Sequence, residues 1–501
     1  MKKLCLILVF ALLVTAAISC ADGTETKAGT DSDTSETSQS TEDETVDFSS
    51  MNFIERLTYD KSAIPDNLPD TDLGGYSYTI GFLDQGDGSA YYDDWIADEI
   101  SGEVVNDAVY KRNSNVSERF NIKFDYFSFP NTDQYTATMV KVVKSGEDAF
   151  DMASLHPGYY NAFITSGYMT NLAVLDYLDF TQPWWMSDSV KAYSYKGNIY
   201  TVYGAGTAIS LLATAPVMVY NKTVAADNNV GDLYQVVRDG AWTYDYVKAL
   251  IKDMWVDLDG DEKKSDDDFF GMYFVQPNEA YTFIWTLGGK YISKDKNDEP
   301  YLDINNEKNL NIFDAVRDMS QNWDGVYYAK SYDTDCQMFV KGRALFQRAV
   351  LIIVNSLRDA DFEYGILPNF KLDENQENYI TSSGGGPQGI PITCADKNRA
   401  ALIMEALNAE SYKLVIPAYY GTAVKVKYTY DEESAEMLDL IFKNVVYDPS
   451  FVFCSTVTYS LGEFNLGKTE FASWYASKEK GFAKTLENAV ASFSDVVSTG
   501  N

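Results

Sequence analysis

Four short loops hold the residues best suited to chemistry. The first is Asp84-Gln85, followed by Gly86-Asp87-Gly88. The second is His156-Pro157-Gly158-Tyr159-Tyr160. The third is Gln276-Pro277-Asn278, and the fourth is Gln347-Arg348 inside an apolar run. Each follows or ends a β-type stretch. In open parallel sheets ligands sit beyond the carboxyl ends of the strands. Amides, one carboxylate, one guanidinium and paired tyrosines suit a polyhydroxylated solute. Hydroxyls need bidentate partners, and sugar C–H faces stack on rings. Trp184-Trp185 after Pro183, and Tyr419-Tyr420 before Gly421, are two further aromatic candidates.

Other chemistries find less support. His156 is the only histidine, so a His-based zinc site or a Ser-His-Asp triad would have to use it. Outside the first 20 residues the cysteines are Cys336, Cys394 and Cys454, an odd and widely spaced set that is no disulfide framework. Asp257, Asp259, Asp261, Ser265 and Asp268 resemble a calcium loop. However, Glu262 stands at its sixth place where glycine is expected, Asp268 stands at its twelfth, and Lys263 and Lys264 lie inside it. A solvated acidic turn is the reading preferred over Ca2+, and no other cofactor is expected.

The elements that must position these loops alternate. Tyr76–Leu83 is β-rich, Trp95–Phe120 has apolar residues at helical spacing, and Asn121–Phe129 alternates as a strand. Tyr135–Ser145 reads as helix and Phe150–Leu155 as a third strand. Such an order implies a parallel sheet with right-handed crossovers. A second set follows. Val217–Tyr220, Phe269–Val275, Leu345–Val354 and Phe362–Leu367 read as strands. Trp242–Met254 and Glu279–Leu287 read as helices, and helices close the chain. Gly384-Gly385-Gly386 before Pro387 looks like a crossover or hinge.

The 501 residues carry a formal charge of −34 and 37 tyrosines. That balance excludes nucleic acid and anionic membrane surfaces as general electrostatic partners. Lys2-Lys3, an apolar run to Ile18 and small residues near Ser19 read as a secretory signal, residues 1–19. Ala17-Ile18-Ser19-Cys20 resembles a bacterial lipobox, which implies diacylglycerol on Cys20 and an anchor in the cell membrane. Residues 20–50 are acidic and rich in Ser and Thr, with nine carboxylates against Lys27. They read as a disordered tether reaching about 30 Å or more.

Short motifs in order complete the picture. They are Phe150-Asp151-Met152 with Ser166-Gly167, Val219-Tyr220-Asn221-Lys222, Trp242-Thr243-Tyr244-Asp245, Gly342-Arg343-Ala344-Leu345-Phe346 and Tyr364-Gly365-Ile366-Leu367-Pro368. Together they resemble the extracellular solute-binding proteins of ABC importers, of the maltose-binding type. The resemblance implies an α/β, two-lobed periplasmic-binding-protein-like (type II) fold. Each lobe is a mostly parallel sheet flanked by helices. The hinge has two or three crossovers, near Tyr203–Ser210, Gly384–Gln388 and Tyr428–Glu432. It implies an N-lobe of residues 72–205 with 388–430 and a C-lobe of residues 210–384 with 431–501. By position it carries ligand contacts to Asp84, Gln85, Leu155, Gly158, Tyr159, Gln276, Asn278, Gln347 and Arg348. Tyr203 and Gln388, in the connections, join His156, Tyr160, Trp184 and Trp185 as further candidates. Gly158 and Tyr159 stand where maltose binders often place Asp and Arg, which leaves the sugar open. The implied function is capture of a small solute, a sugar or oligosaccharide, by a monomer that delivers it to a membrane permease without chemistry. A secreted glycoside hydrolase and a surface carbohydrate adhesin are the alternatives.

Overall fold

The computed structural model describes residues 48, 51–59, 64–86, 89–129, 131, 134–275, 279–331, 333, 335–427 and 429–499. Gln276 and Asn278, Tyr428 of the third expected crossover, Cys20, and all of the signal and tether except Phe48 lie outside the described residues. Two sheets organise the body. The first contains β1 (Tyr76–Leu83), β2 (Ile122–Phe129), β3 (Met152–Ser154) and a late strand, Gln388–Gly389. β1 runs parallel to both β2 and β3, and the late strand pairs antiparallel with β3. The helix Val104–Phe120 connects β1 to β2, capped by the Glu103 carboxylate at one end and by Asn121 in the left-handed region at the other. Helix Tyr135–Ser145 connects β2 to β3 and stops at Gly146, whose φ is +68°. Both are the crossovers expected from the alternation of patterns.

The second sheet is mixed. Its strands are β4 (Pro216–Asn221), β5 (Trp255–Val256), β6 (Phe269–Phe274), β9 (Val326–Tyr328), β10 (Ala344–Val350) and β11 (Tyr364–Leu367), with a hairpin of β7 (Ile292–Lys294) and β8 (Pro300–Leu302) set apart. β10 is parallel to β6, and β6 to β9. β4 is antiparallel to both β10 and β11 and is buried along all six residues. A strand covered on both faces reads as a continuous apolar run, which is why Val217-Met218-Val219-Tyr220 stood out in the sequence.

Some boundaries moved for identifiable reasons. Trp95 to Gly102 is not helical: Gly102 sits at φ +84°, and the Asp107 carboxylate accepts the N–H groups of Ser101 and Gly102. Ile100, in register with the buried face by spacing, is 58% exposed. The run from Leu345 leaves the strand at Val350 and continues as a 3-10 helix, Leu351–Asp359. Glu279–Leu287 forms a 3-10 turn, Glu279–Thr282, before the α-helical Phe283–Thr286.

Three connections link the sheets. One descends through Tyr203 into the helix Ala208–Ala213 and then β4. The second returns through β12 (Thr381–Ser382) to β13, the late strand Gln388–Gly389; β12 pairs with β14 (Val445–Val446). The third follows the long helix Lys397–Ile416, which packs on Val104–Phe120 and continues as a π-helix to Lys427. Next comes Glu432–Lys443, packed on β11. The C-terminal helix Phe471–Thr499 packs against the helix Tyr160–Thr165.

Candidate functional site

The glycine run explains how closely two of the connections run. A Cβ on Gly385 would lie 2.6 Å from the Cα and N of Leu211, so only glycine lets this segment pass so close to the helix Ala208–Ala213. Ser383 Oγ donates to Leu211 O at 2.7 Å, Gly386 N–H donates to Ser210 Oγ at 3.1 Å, and Tyr91 OH donates to Gly384 O. The fully buried Asp94 accepts the N–H groups of Ile209 and Ser210 at 3.0 and 3.1 Å. Burial pushes its pKa up to about 8, against those hydrogen bonds and nearby Arg112.

Above this junction lies a cleft of about 920 Å³. Gln85, Tyr91 and His156 line it from the first sheet, beyond the ends of β1 and β3. Glu279, Tyr281 and Trp285 line it from the second, beyond β6, with Arg348 from the end of β10 and Ile352 just past it. Ser382 and Ser383 line it from the connection. An annex of about 400 Å³ shares His156 and adds Gly158, Tyr159, Ser455 and Tyr459. The ligand-facing ends of both sheets therefore meet in one place, as the strand-end rule requires.

Chemically the walls are aromatic and neutral-polar. Tyr281 packs against Tyr459 with ring centroids 4.9 Å apart and edge-on to Trp285 at 6.0 Å. Tyr159 stands edge-on to Tyr135 at 4.9 Å. His156 Nδ1 accepts the Gly158 N–H at 3.2 Å, and burial pulls its pKa down to about 4, so the ring is neutral near pH 7. Among the described residues only Glu279 and Arg348 bring charge to the wall, and they pair at 2.8 Å. Arg348 also donates to Asn369 Oδ1 at 2.7 Å and Thr282 Oγ1 at 2.6 Å, and lies 4.5 Å over the Phe283 ring. Among the described residues Glu279 Oε2 has no hydrogen-bond partner, and burial raises its pKa to about 7 against the pull of Arg348.

The residues picked from sequence divide. Gln85, His156 and Arg348 line the cleft, and Gly158 and Tyr159 line the annex. Asp84 sits beside them but turns to its own loop, accepting Gly86 N–H at 3.1 Å and the Ser128 hydroxyl at 2.8 Å. The remainder are interior. Trp184 and Trp185 are fully buried, and both indole N–H groups donate to Glu405, at 2.8 and 2.9 Å. Tyr160 OH donates to Pro387 O at 2.7 Å and Tyr203 OH to Gly385 O at 2.9 Å. Gln388 exchanges hydrogen bonds with Asn408, and Gln347 donates to Cys336 Sγ. Tyr419 and Tyr420 are buried in the π-helical segment. An aromatic or amide side chain that packs and one that lines a cleft look alike in sequence; the position of the cleft separates them here.

Glu279, Tyr281, Trp285 and Tyr459 were not singled out. Trp285 and Tyr281 lay inside a segment read as an ordinary amphipathic helix. Tyr459 lies in a helical region far along the chain, with no local motif. The one available signal was the position of Glu279, just beyond the end of a strand.

In the acidic loop the carboxylates of Asp257, Asp259 and Asp261 converge, with ligand atoms within 4.8 Å of one another. Their oxygens already serve the loop: Asp257 accepts Gly260 and Glu262 N–H at 2.7 and 2.8 Å, and Asp259 accepts Asp261 N–H. Asp268 is buried and turned inward, accepting from Leu258 N–H, Ser265 N–H and the Trp255 indole.

No protein-family model matches the chain, and no curated protein matches it in sequence. Solved structures do match. The galacto-N-biose/lacto-N-biose I-binding protein of the ABC transporter of Bifidobacterium longum, in complex with lacto-N-biose, superposes with TM-score 0.53 at 15% identity, covering 83% of this chain and 98% of that one. UgpB from Mycobacterium tuberculosis, in complex with glycerophosphocholine, gives 0.53 at 14%, covering 83% and 99%. The GacH receptor of Streptomyces glaucescens, solved unliganded and with acarbose, gives 0.52 at 12%, covering 82% and 99%. The fold is that of two-lobed type II periplasmic binding proteins. These neighbours are binding proteins, and among the described residues no helix is long and apolar enough to cross a membrane.

Proposed function

We propose that this chain is the extracellular solute-binding component of an ABC importer. It captures a small carbohydrate between its two lobes and hands it to a membrane permease. The observation that carries this reading is the cleft itself. Both sheets present their strand ends to one volume whose walls are aromatic rings, hydroxyls and amides. Structural neighbours named for sugars and oligosaccharides support the ligand class. Capture without chemistry is part of the proposal, supported by structural neighbours named as binding proteins; hydrolysis of a glycosidic bond by the usual route would call for two carboxyl groups flanking the bond. The sequence supports attachment of Cys20 to lipid, a location on the outer face of the cell membrane and action as a monomer. The lobe boundaries given by the resemblance are kept as part of the proposal.

Isothermal calorimetry against neutral mono- and oligosaccharides and glycerophosphocholine tests the reading. The expected result is saturable binding of at least one sugar, with compaction in solution scattering. No binding by any member and no compaction would overturn it. For the acidic loop we propose a self-bonded turn rather than an ion site. A calcium titration that saturates in the micromolar range would refute that.

A further inference from the structure

We propose that the short N-terminal helix Phe53–Thr58 is a strap that ties the two sheet-bearing halves together and sets the angle at which the cleft stands. The helix has six residues and is closed by a capping box between Asn52 and Glu55. Helices this short do not hold themselves together in water, so its docking decides whether it exists. On one side it is fastened to the first half. Arg56 is only 5% exposed and donates to Trp185 O at 2.7 Å and to Ser187 Oγ, while Tyr412 OH donates back to Arg56 O at 2.5 Å. Trp185 and Tyr412 belong to the first half, through Glu405 and the long helix that packs on Val104–Phe120.

On the other side it rests on the second half. The helix packs on Glu432–Lys443, which lies against β11, and Ile54 lines a pocket with Val237, Arg238 and Leu440 of the second half. Asn52 and Arg56 also line a pocket shared by Ser187 of the first half and Lys443 and Tyr447 beyond it. Arg56 holds a fixed fork of bonds to the first half. Rotation of the halves must therefore either break that fork or slide the strap off Glu432–Lys443. A small element with two alternatives of this kind biases a two-state equilibrium by its docking energy. The strap needs no ligand to act, although its consequence for capture rests on the cleft reading above.

The test uses the full chain with bio-orthogonal labels at Lys144 and Asp227, exposed positions on opposite halves, and reads the inter-label distance distribution. Arg56→Ala is expected to widen that distribution at least about twofold, with the far-UV circular dichroism spectrum retained. The pair Asn52→Ala/Glu55→Ala removes the capping box while leaving the Arg56 fork in place, and is expected to widen it in the same direction. If Arg56→Ala does not fold, the capping-box pair decides alone. Distributions that superimpose on the wild type in folded variants would overturn the strap. The same labels separate this from the cleft reading. A sugar-induced shift in the wild type with unchanged variants sinks the strap alone, whereas no shift with any sugar of the panel counts against the cleft.

Discussion

Glu405 shows how far a single residue can set the behaviour of this protein. It is fully buried and accepts from two tryptophan indoles, and burial pushes its pKa up to about 8 despite those hydrogen bonds. Asp94 is raised to about 8 and Glu279 to about 7, both first by burial. Carboxyl groups with raised folded pKa values bind protons more tightly in the native state than in the unfolded chain. Stability is therefore fully present below the unfolded pKa and is lost as pH rises through the folded value. His156, pulled down to about 4, works in the opposite sense below its ordinary value, so the clean window lies above it. Stability to urea is expected to fall between about pH 6.5 and 8, by at most about 1.4 kcal/mol per pH unit for each group. Glu405→Gln cannot lose a proton, and its slope in that window should be shallower than the wild type's. Parallel slopes would show that Glu405 is ionised throughout. Nothing local marks this group: an acid in a helix full of alanine and leucine reads as a solvated position, and its partners lie 221 and 220 residues away along the chain.

At the scale of elements, local pattern carried most of the fold. β1, β2, β4 and the helices after β1 and β2 were legible from their apolar spacing, and Gly146 in the left-handed region marks the end of the second helix. Elements were misjudged where spacing and backbone conflicted, as at Gly102, or where one apolar run served two structures, as at Leu345–Asp359. The orientation of β4, antiparallel to its neighbours, was invisible, since residue types do not encode strand direction. The site was legible where it follows strand ends (Gln85, His156, Tyr159, Arg348) and hidden where it comes from helices, as with Trp285 and Tyr459. The Gly384–Gly386 run was readable as a connection, and its geometry now gives a measurable consequence. Gly385→Ala places a methyl 2.6 Å from the Leu211 backbone, and backbone cannot yield as a flexible side chain does. The variant should lose roughly 1–3 kcal/mol in urea unfolding, as overpacking does. Gly384→Ala, with nothing nearer than 3.8 Å, is the matched control. Equal stability of the two would mean that the connections are looser than drawn.

For the whole molecule the main contrast is between a strongly acidic chain and an electrically quiet cleft. The formal charge is −34, yet among its described residues the wall carries one carboxylate and one guanidinium that pair with each other. The described wall therefore holds its charge as an ion pair, and His156 adds none near neutral pH. A charged ligand would feel the field of the whole acidic body, which salt screens over a Debye length of about 10 Å at 0.1 M. A neutral ligand would not. Sugar affinity measured by calorimetry is thus expected to change less than about twofold between roughly 0.02 and 0.5 M sodium chloride, while encounter with any cationic ligand would weaken steeply. A several-fold loss of sugar affinity over that range would mean that an unpaired charge reaches the ligand. Glu279 Oε2 is the first place to look, because among the described residues it is the one carboxylate oxygen in the wall left without a partner. Glu279→Gln would remove that oxygen's charge and leave the Arg348 guanidinium without its ion pair, held by Asn369 and Thr282 alone, so the salt dependence is expected to change sign or size rather than stay as in the wild type.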